Sequence, residues 1–155
     1  DSNDTTLKGS STDLPNEAEA LPAVSFTSVG RTDKALHINY RGGVVWAGFW
    51  LFNFDDSGRN LSLDFSKFDT LLLEIKGDVG GETLLLNLED IDDEKDGSST
   101  RIEIQLTDQW QTYEIKLADF KTADLSKLTN ILGFVFLQPQ PQSFSVKTAK
   151  YLKRE

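Results

Sequence analysis

Twenty-five Asp and Glu residues against sixteen Lys and Arg are the largest store of reactive groups in this chain of 155 residues. Two arrangements of them could do chemistry. Asp92, Glu94, Asp96, Gly97 and Glu103 are spaced like the ligand positions of a calcium loop of EF-hand type. Such a loop is aimed by a helix on either side, and both flanks here alternate as strands do, so a solvated hairpin loop is the simpler expectation. Glycoside hydrolysis needs two carboxyls across a cleft, one kept protonated by apolar surroundings. Glu89 and Asp90, at a strand end, are the best pair for that role, yet neither sits in an apolar stretch. No catalytic residue is expected. The single histidine, His37, lies on the polar side of an alternating strand and reads as a solvated sheet residue. The chain has no cysteine, which excludes thiol catalysis, disulfides and Cys-ligated zinc. Gly77, Gly80 and Gly81 precede a strand, so they form no phosphate cradle at a helix start.

The aromatic run Val44–Phe54 offers a different chemistry. It holds two Trp, three Phe and one Gly in eleven residues. At the period of a strand, Val45, Ala47, Phe49 and Leu51 share one face; Trp46, Gly48, Trp50, Phe52 and Phe54 share the other. Both faces are apolar. Either the strand is central in a two-sided core, or one face is covered by something other than protein. Sugar rings present apolar C–H faces on which indoles pack, and their hydroxyls need amide and carboxylate partners. Trp46 and Trp50, four residues apart, would stand about 13 Å apart along a strand. That spacing suits sugars a few units apart on an extended chain.

The elements that must position these residues are strands. Val24–Ser28, Ala35–Tyr40, the aromatic run, Thr70–Lys76, Thr83–Asp90, Arg101–Leu106, Trp110–Leu117, Ile131–Gln138 and Phe144–Leu152 read as strands between turn signals such as Asp55-Asp56-Ser57-Gly58. Ala118–Leu128 holds the one short helical signal. Nine or ten strands at spacings of about 8–12 residues predict an all-β, two-sheet β-sandwich of jelly-roll type. Residues 1–22 are acidic and polar, with five acidic residues against Lys8 in the first twenty, and are expected to be a tail or linker. Residues 23–155 form one domain. A net charge of −9 and a pI near 4.6 oppose binding to nucleic acid or to an anionic membrane surface. No run reaches the roughly 18 apolar residues of a membrane helix. The short polar, acidic start is that of many mature exported proteins, so a secreted, periplasmic or cell-surface location is expected.

The succession VWAGFWL, DFSKFDTLLLEIKGD, LNLED, DQWQTYEIKLADF and LTNILGFVF resembles carbohydrate-binding modules of jelly-roll type. The pattern is closest to family 11 and related galactose-binding-like domains, over residues 23–152. The resemblance implies a non-catalytic module that binds a polysaccharide or oligosaccharide, expected to be a β-glucan chain in a groove on a concave sheet, and often an appended catalytic domain in a longer chain. It implies that Trp46, two residues before the glycine of the aromatic strand, is a stacking residue, with Trp50 and Phe52 beside it. It places a polar ligand contact at Asp96 and an amide, Gln138, where the family has a further aromatic. Asn87, Glu89 and Gln138 are then the rim partners. The loop Lys121–Asp124 is shorter than the family's. Trp110, Tyr113 and Phe120 are expected in the core. No cofactor is expected: relatives that hold structural calcium use a last-strand Asp, which is Lys147 here. Two rivals share the fold class, an assembly domain like those of complex I assembly factors and a small polysaccharide lyase or hydrolase. The opening Trp/Asp-Gly-rich signature of the first is missing.

Overall fold

The computed structural model describes residues 7–10, 24–29, 35–44, 46–94, 96 and 98–153, the first two stretches in backbone only. Ten strands are described: β1 (Leu7–Ser10), β2 (Val24–Val29), β3 (Ala35–Tyr40), β4 (Ala47–Phe52), β5 (Thr70–Gly77), β6 (Thr83–Asp90), β7 (Arg101–Gln105), β8 (Gln111–Lys116), β9 (Leu128–Phe136) and β10 (Gln142–Leu152). They form two five-stranded sheets in the orders β1-β4-β9-β6-β7 and β2-β3-β10-β5-β8. Every pairing is antiparallel. The expected all-β sandwich is what the chain forms.

Alternation explains where each face goes. Leu71, Leu73 and Ile75 of β5 are fully buried between the sheets, while Leu72, Glu74 and Lys76 point away. Leu84, Leu86 and Leu88 of β6 do the same from the opposite sheet. Phe49 of β4, Phe134 and Phe136 of β9 and Phe144 of β10 complete an aromatic centre, with Phe134 and Phe144 rings 5.1 Å apart. Burial of that kind contributes about 1.5–3 kcal/mol per large apolar side chain. The helical signal after β8 resolves into two single 3-10 turns, Leu117–Asp119 and Leu125–Lys127.

Two expectations change. Leu7–Ser10, inside the stretch read as a tail, forms β1 and pairs with β4 in the register Leu7↔Leu51 to Ser10↔Gly48. The rest of residues 1–22 lies outside the described residues, as does Val45. Trp110 is not a core residue. Gln111 opens β8 opposite Ile75, so the preceding Trp110 falls beside Lys76, whose side chain points outward. Its ring lies between the ammonium groups of Lys76, at 5.2 Å, and Lys147, at 5.5 Å. Phe120 is buried as expected, and Tyr113 packs on the core edge with its hydroxyl donating to the Gln105 carbonyl at 2.6 Å. His37 bonds Asp78 through Nε2 at 3.0 Å, on the outer side of the second sheet.

Candidate functional site

The face of the β1-β4-β9-β6-β7 sheet turned away from the core gathers most of the residues singled out above. Register sets them in rows across β4, β9 and β6. Phe52 faces Asn130 and Glu89; Trp50 faces Gly133 and Asn87; Gly48 faces Val135 and Leu85. Arg101 and Glu103 of β7 extend the last two rows. Continuing the register one step sets Trp46 beside Leu137.

Trp50 is buried at 6% exposure although it belongs to this outer face. Its indole lies flat on the sheet because two of its neighbours have no side chain. A Cβ on Gly48 would stand 2.2 Å from Trp50 Cη2, and one on Gly133 would stand 2.5 Å from Cδ1. Gly133 therefore marks a close approach, as an isolated glycine in an apolar strand does. Trp46 packs against this buried ring, with centroids 5.4 Å apart and 33° between planes, and remains 40% exposed. The expected geometry of two separate open platforms about 13 Å apart is thus corrected. Side chains four residues apart have folded onto each other, and one indole supports the other.

The segment carrying Trp46 is pinned from below. Tyr40, fully buried and stacked on Phe136 at 4.6 Å, places its hydroxyl 2.8 Å from the Val44 carbonyl and 2.9 Å from that of Gln138. Gly43 N–H donates to the Pro139 carbonyl at 2.8 Å. Gly42, at φ +76°, sits so close to Pro139 that a Cβ would fall 2.2 Å from its oxygen. These contacts hold Trp46 and Gln138 on neighbouring chain segments. Gln138 itself is exposed there.

Polar groups border the indoles on the β6 side. Asn87 Nδ2 donates to Glu89 Oε1 at 2.9 Å and to Ser99 Oγ at 3.2 Å. Asn87 Oδ1 turns toward Gly133, where an added Cβ would lie 1.9 Å from it and 2.8 Å from Trp50 Nε1. Asn130, fully buried, accepts the Leu132 N–H at 3.2 Å. Sequence reasoning missed Asn130, Ser99 and Gly133; of these only Gly133 had a signal, its place in the apolar run ILGFVF.

The other acidic candidates are held by partners in their own loops or in neighbouring ones. Asp90 accepts the N–H of Asp92 through Oδ1 and that of Asp124 through Oδ2, both at 2.8 Å, and so clamps two loops together. Asp96 is tied to its own loop. It accepts the Ser98 N–H at 2.9 Å, and the Ser98 hydroxyl and N–H hold its carboxyl below the usual carboxylate range. Asp92 pairs with Lys127, while Glu103 stands on the sheet, so the calcium-loop spacing does not converge. Among the described residues no group of three or more His, Asp or Glu side chains is arranged to hold a metal ion.

A family model described as carbohydrate binding domain 30 matches residues 1–151. The chain belongs to that family. Carbohydrate binding is thereby its activity, and the match takes in the β1 stretch as well as the domain predicted from residue 23. Solved structures of similar fold include a family 30 module of a cellulosomal cellulase of Clostridium thermocellum, 20% identical over 97% of this chain and 93% of that one, TM-score 0.70. A family 11 module of Clostridium thermocellum in complex with a β-1,3-1,4-mixed-linked tetrasaccharide is 19% identical over 84% of this chain and 81% of that one, TM-score 0.64. The family 11 pattern seen in the sequence is therefore a likeness of fold, with family 30 the membership. Among curated proteins there is no significant match.

Proposed function

We propose that this family 30 domain is a non-catalytic module that binds β-glucan on the outer face of the β1-β4-β9-β6-β7 sheet. The observation that carries the reading is the indole pair: an exposed ring at Trp46, backed by a buried ring at Trp50 that lies on two glycines. A sugar stacked on Trp46 meets a surface that is already in place, so little ordering entropy is lost on binding. Phe52 continues the apolar surface, and Glu89 and Gln138 are the partners for ring hydroxyls, whereas Asn87, expected as a third rim partner, is buried and serves to hold Glu89 in place. Asp96 belongs to the reading as a loop contact, on the loop whose Ser99 bonds Asn87. The mixed-linkage tetrasaccharide on the family 11 relative supports a β-glucan as ligand. The cellulase that contains the family 30 relative supports a role beside a polysaccharide-degrading domain, in a secreted or cell-surface protein.

The test is affinity electrophoresis on mixed-linkage β-glucan with Trp46→Ala, paired with thermal unfolding. Binding should be lost, and the melting temperature should fall by only roughly 2–5 °C, because an aromatic pair contributes about 0.5–1.5 kcal/mol beyond area. Retention of the variant equal to that of the unmutated chain would refute the reading.

A further inference from the structure

The net charge of −9 is not spread evenly over the chain. In the β2-β3-β10-β5-β8 sheet, the residues of β10, β5 and β8 that alternate with the buried ones form an outer face. Register sets Leu152, Thr70 and Lys116 in one row of it and Lys150, Leu72 and Glu114 in the next. Thr148, Glu74 and Thr112 make a third row. Beyond it stand Lys76 and Lys147, whose ammonium groups both lie within 5.5 Å of the Trp110 ring centre. Four lysines thus face two glutamates, in a chain where 25 acidic residues outnumber 16 basic ones. Glu74 is already paired with Lys147, at 3.3 Å. Among the described residues, none of Lys76, Lys116, Lys150 and Lys153 has a carboxylate partner.

A pocket of about 560 Å³ opens at the Leu152–Thr70–Lys116 end of this face. Asp69, Glu114, Ala118 and Lys153 complete its lining, so two ammonium groups and two carboxylates share it. An acidic peptide or a phosphate chain would be drawn by the lysines and repelled by Glu114 and Asp69. A uronic acid suits both: its carboxylate accepts from ammonium groups, and its hydroxyls donate to carboxylates. From Thr70 to Lys76 the face runs about 20 Å, at roughly 3.4 Å per residue. A chain of several uronates that begins in the pocket would reach the lysines beside Trp110. We infer that this face is a second glycan site, for a uronic-acid-bearing polysaccharide, with the pocket holding one uronate. The inference uses the carbohydrate-binding activity of the family and rests neither on Trp46 nor on β-glucan as the ligand of the opposite face.

Titration calorimetry of the full chain with tetragalacturonate and with its methyl ester tests it. The ester keeps the rings and loses the charges, so it should bind at least roughly tenfold more weakly than the acid. Lys116→Gln should weaken the acid roughly threefold, as expected for one exposed ion pair, and Lys116→Gln with Lys153→Gln roughly tenfold. Neither variant should alter retention on mixed-linkage β-glucan. In nitrogen–proton spectra the acid should move the Trp110 indole signal and leave that of Trp46 still. Trp46→Ala should bind the acid as before, so a failure of the β-glucan reading and a failure of this one are read separately. The second site is overturned by no binding of the acid, by equal binding of acid and ester, or by equal binding of a tetraglutamate peptide. Lysine variants without effect, or movement of Trp46 in place of Trp110, overturn it as well.

Discussion

A four-times repeated device, Asp-x-Ser, stabilises loops of this domain at the level of single residues. Asp55 with Ser57, Asp64 with Ser66, Asp96 with Ser98 and Asp124 with Ser126 each join carboxylate Oδ1 to the serine N–H, at 2.8–3.0 Å. This is the side-chain mimic of a backbone turn, and it explains why such pairs sit at loops and not inside strands. In each case the serine hydroxyl is the first cause that holds the aspartate below its ordinary titration range. A carboxyl with a lowered folded-state pKa adds stability above the unfolded value of about 3.9, and loses it as pH falls through the folded one. The melting temperature should therefore be level from neutral pH down to about pH 5 and decline below about pH 4. A domain equally stable at acid pH would contradict this account of the loops. The turns were legible because Asp and Ser announce them locally. The role of Asp90 was not, since one of its two N–H donors, Asp124, lies 34 residues away in sequence.

Among the elements, β4 and β9 decide the site, and they do so through glycines. Gly48 and Gly133 clear the floor on which Trp50 lies. Gly133→Ala should push the indole outward, since its new methyl would meet Trp50 Cδ1 and Asn87 Oδ1. The expected cost is about 1–3 kcal/mol, as for overpacking elsewhere, with a red-shifted tryptophan emission and weakened glucan binding. Unchanged emission and binding would show that the floor is not needed. Trp50→Ala should cost more, about 3–5 kcal/mol, roughly a 10 °C fall in melting temperature, and should remove binding as well. The contrast with the small stability change at Trp46 distinguishes the supporting ring from the open one. Strand alternation in the sequence placed both tryptophans on one face. It did not place one beneath the other, because period two fixes the side of a sheet and says nothing about rotamers. β1 was hidden for another reason. Leu-Lys-Gly-Ser is too short and polar to stand out, and it becomes a strand only because the edge of β4 is there to pair with.

For the whole molecule, the two outer faces differ, and that difference is the substance of the functional reading. One face has stacked indoles and a polar border on β6. The other has Trp110 between two lysines and the His37–Asp78 pair. Sandwich, nine of the ten described strands and the central core could be read from alternation, as could the aromatic strand's importance. Which sheet presents its face to a ligand depends on strand order, with β4 and β6 both flanking β9, and no local pattern encodes that. The three tryptophans make the question directly measurable, with two on one face and one on the other. In nitrogen–proton correlation spectra each indole N–H gives its own signal. On titration with a mixed-linkage β-glucan oligosaccharide, the Trp46 signal should move most, Trp50 should follow, and Trp110 should stay where it is. Movement of Trp110 alone, or of none of the three, would contradict binding on the β4 face.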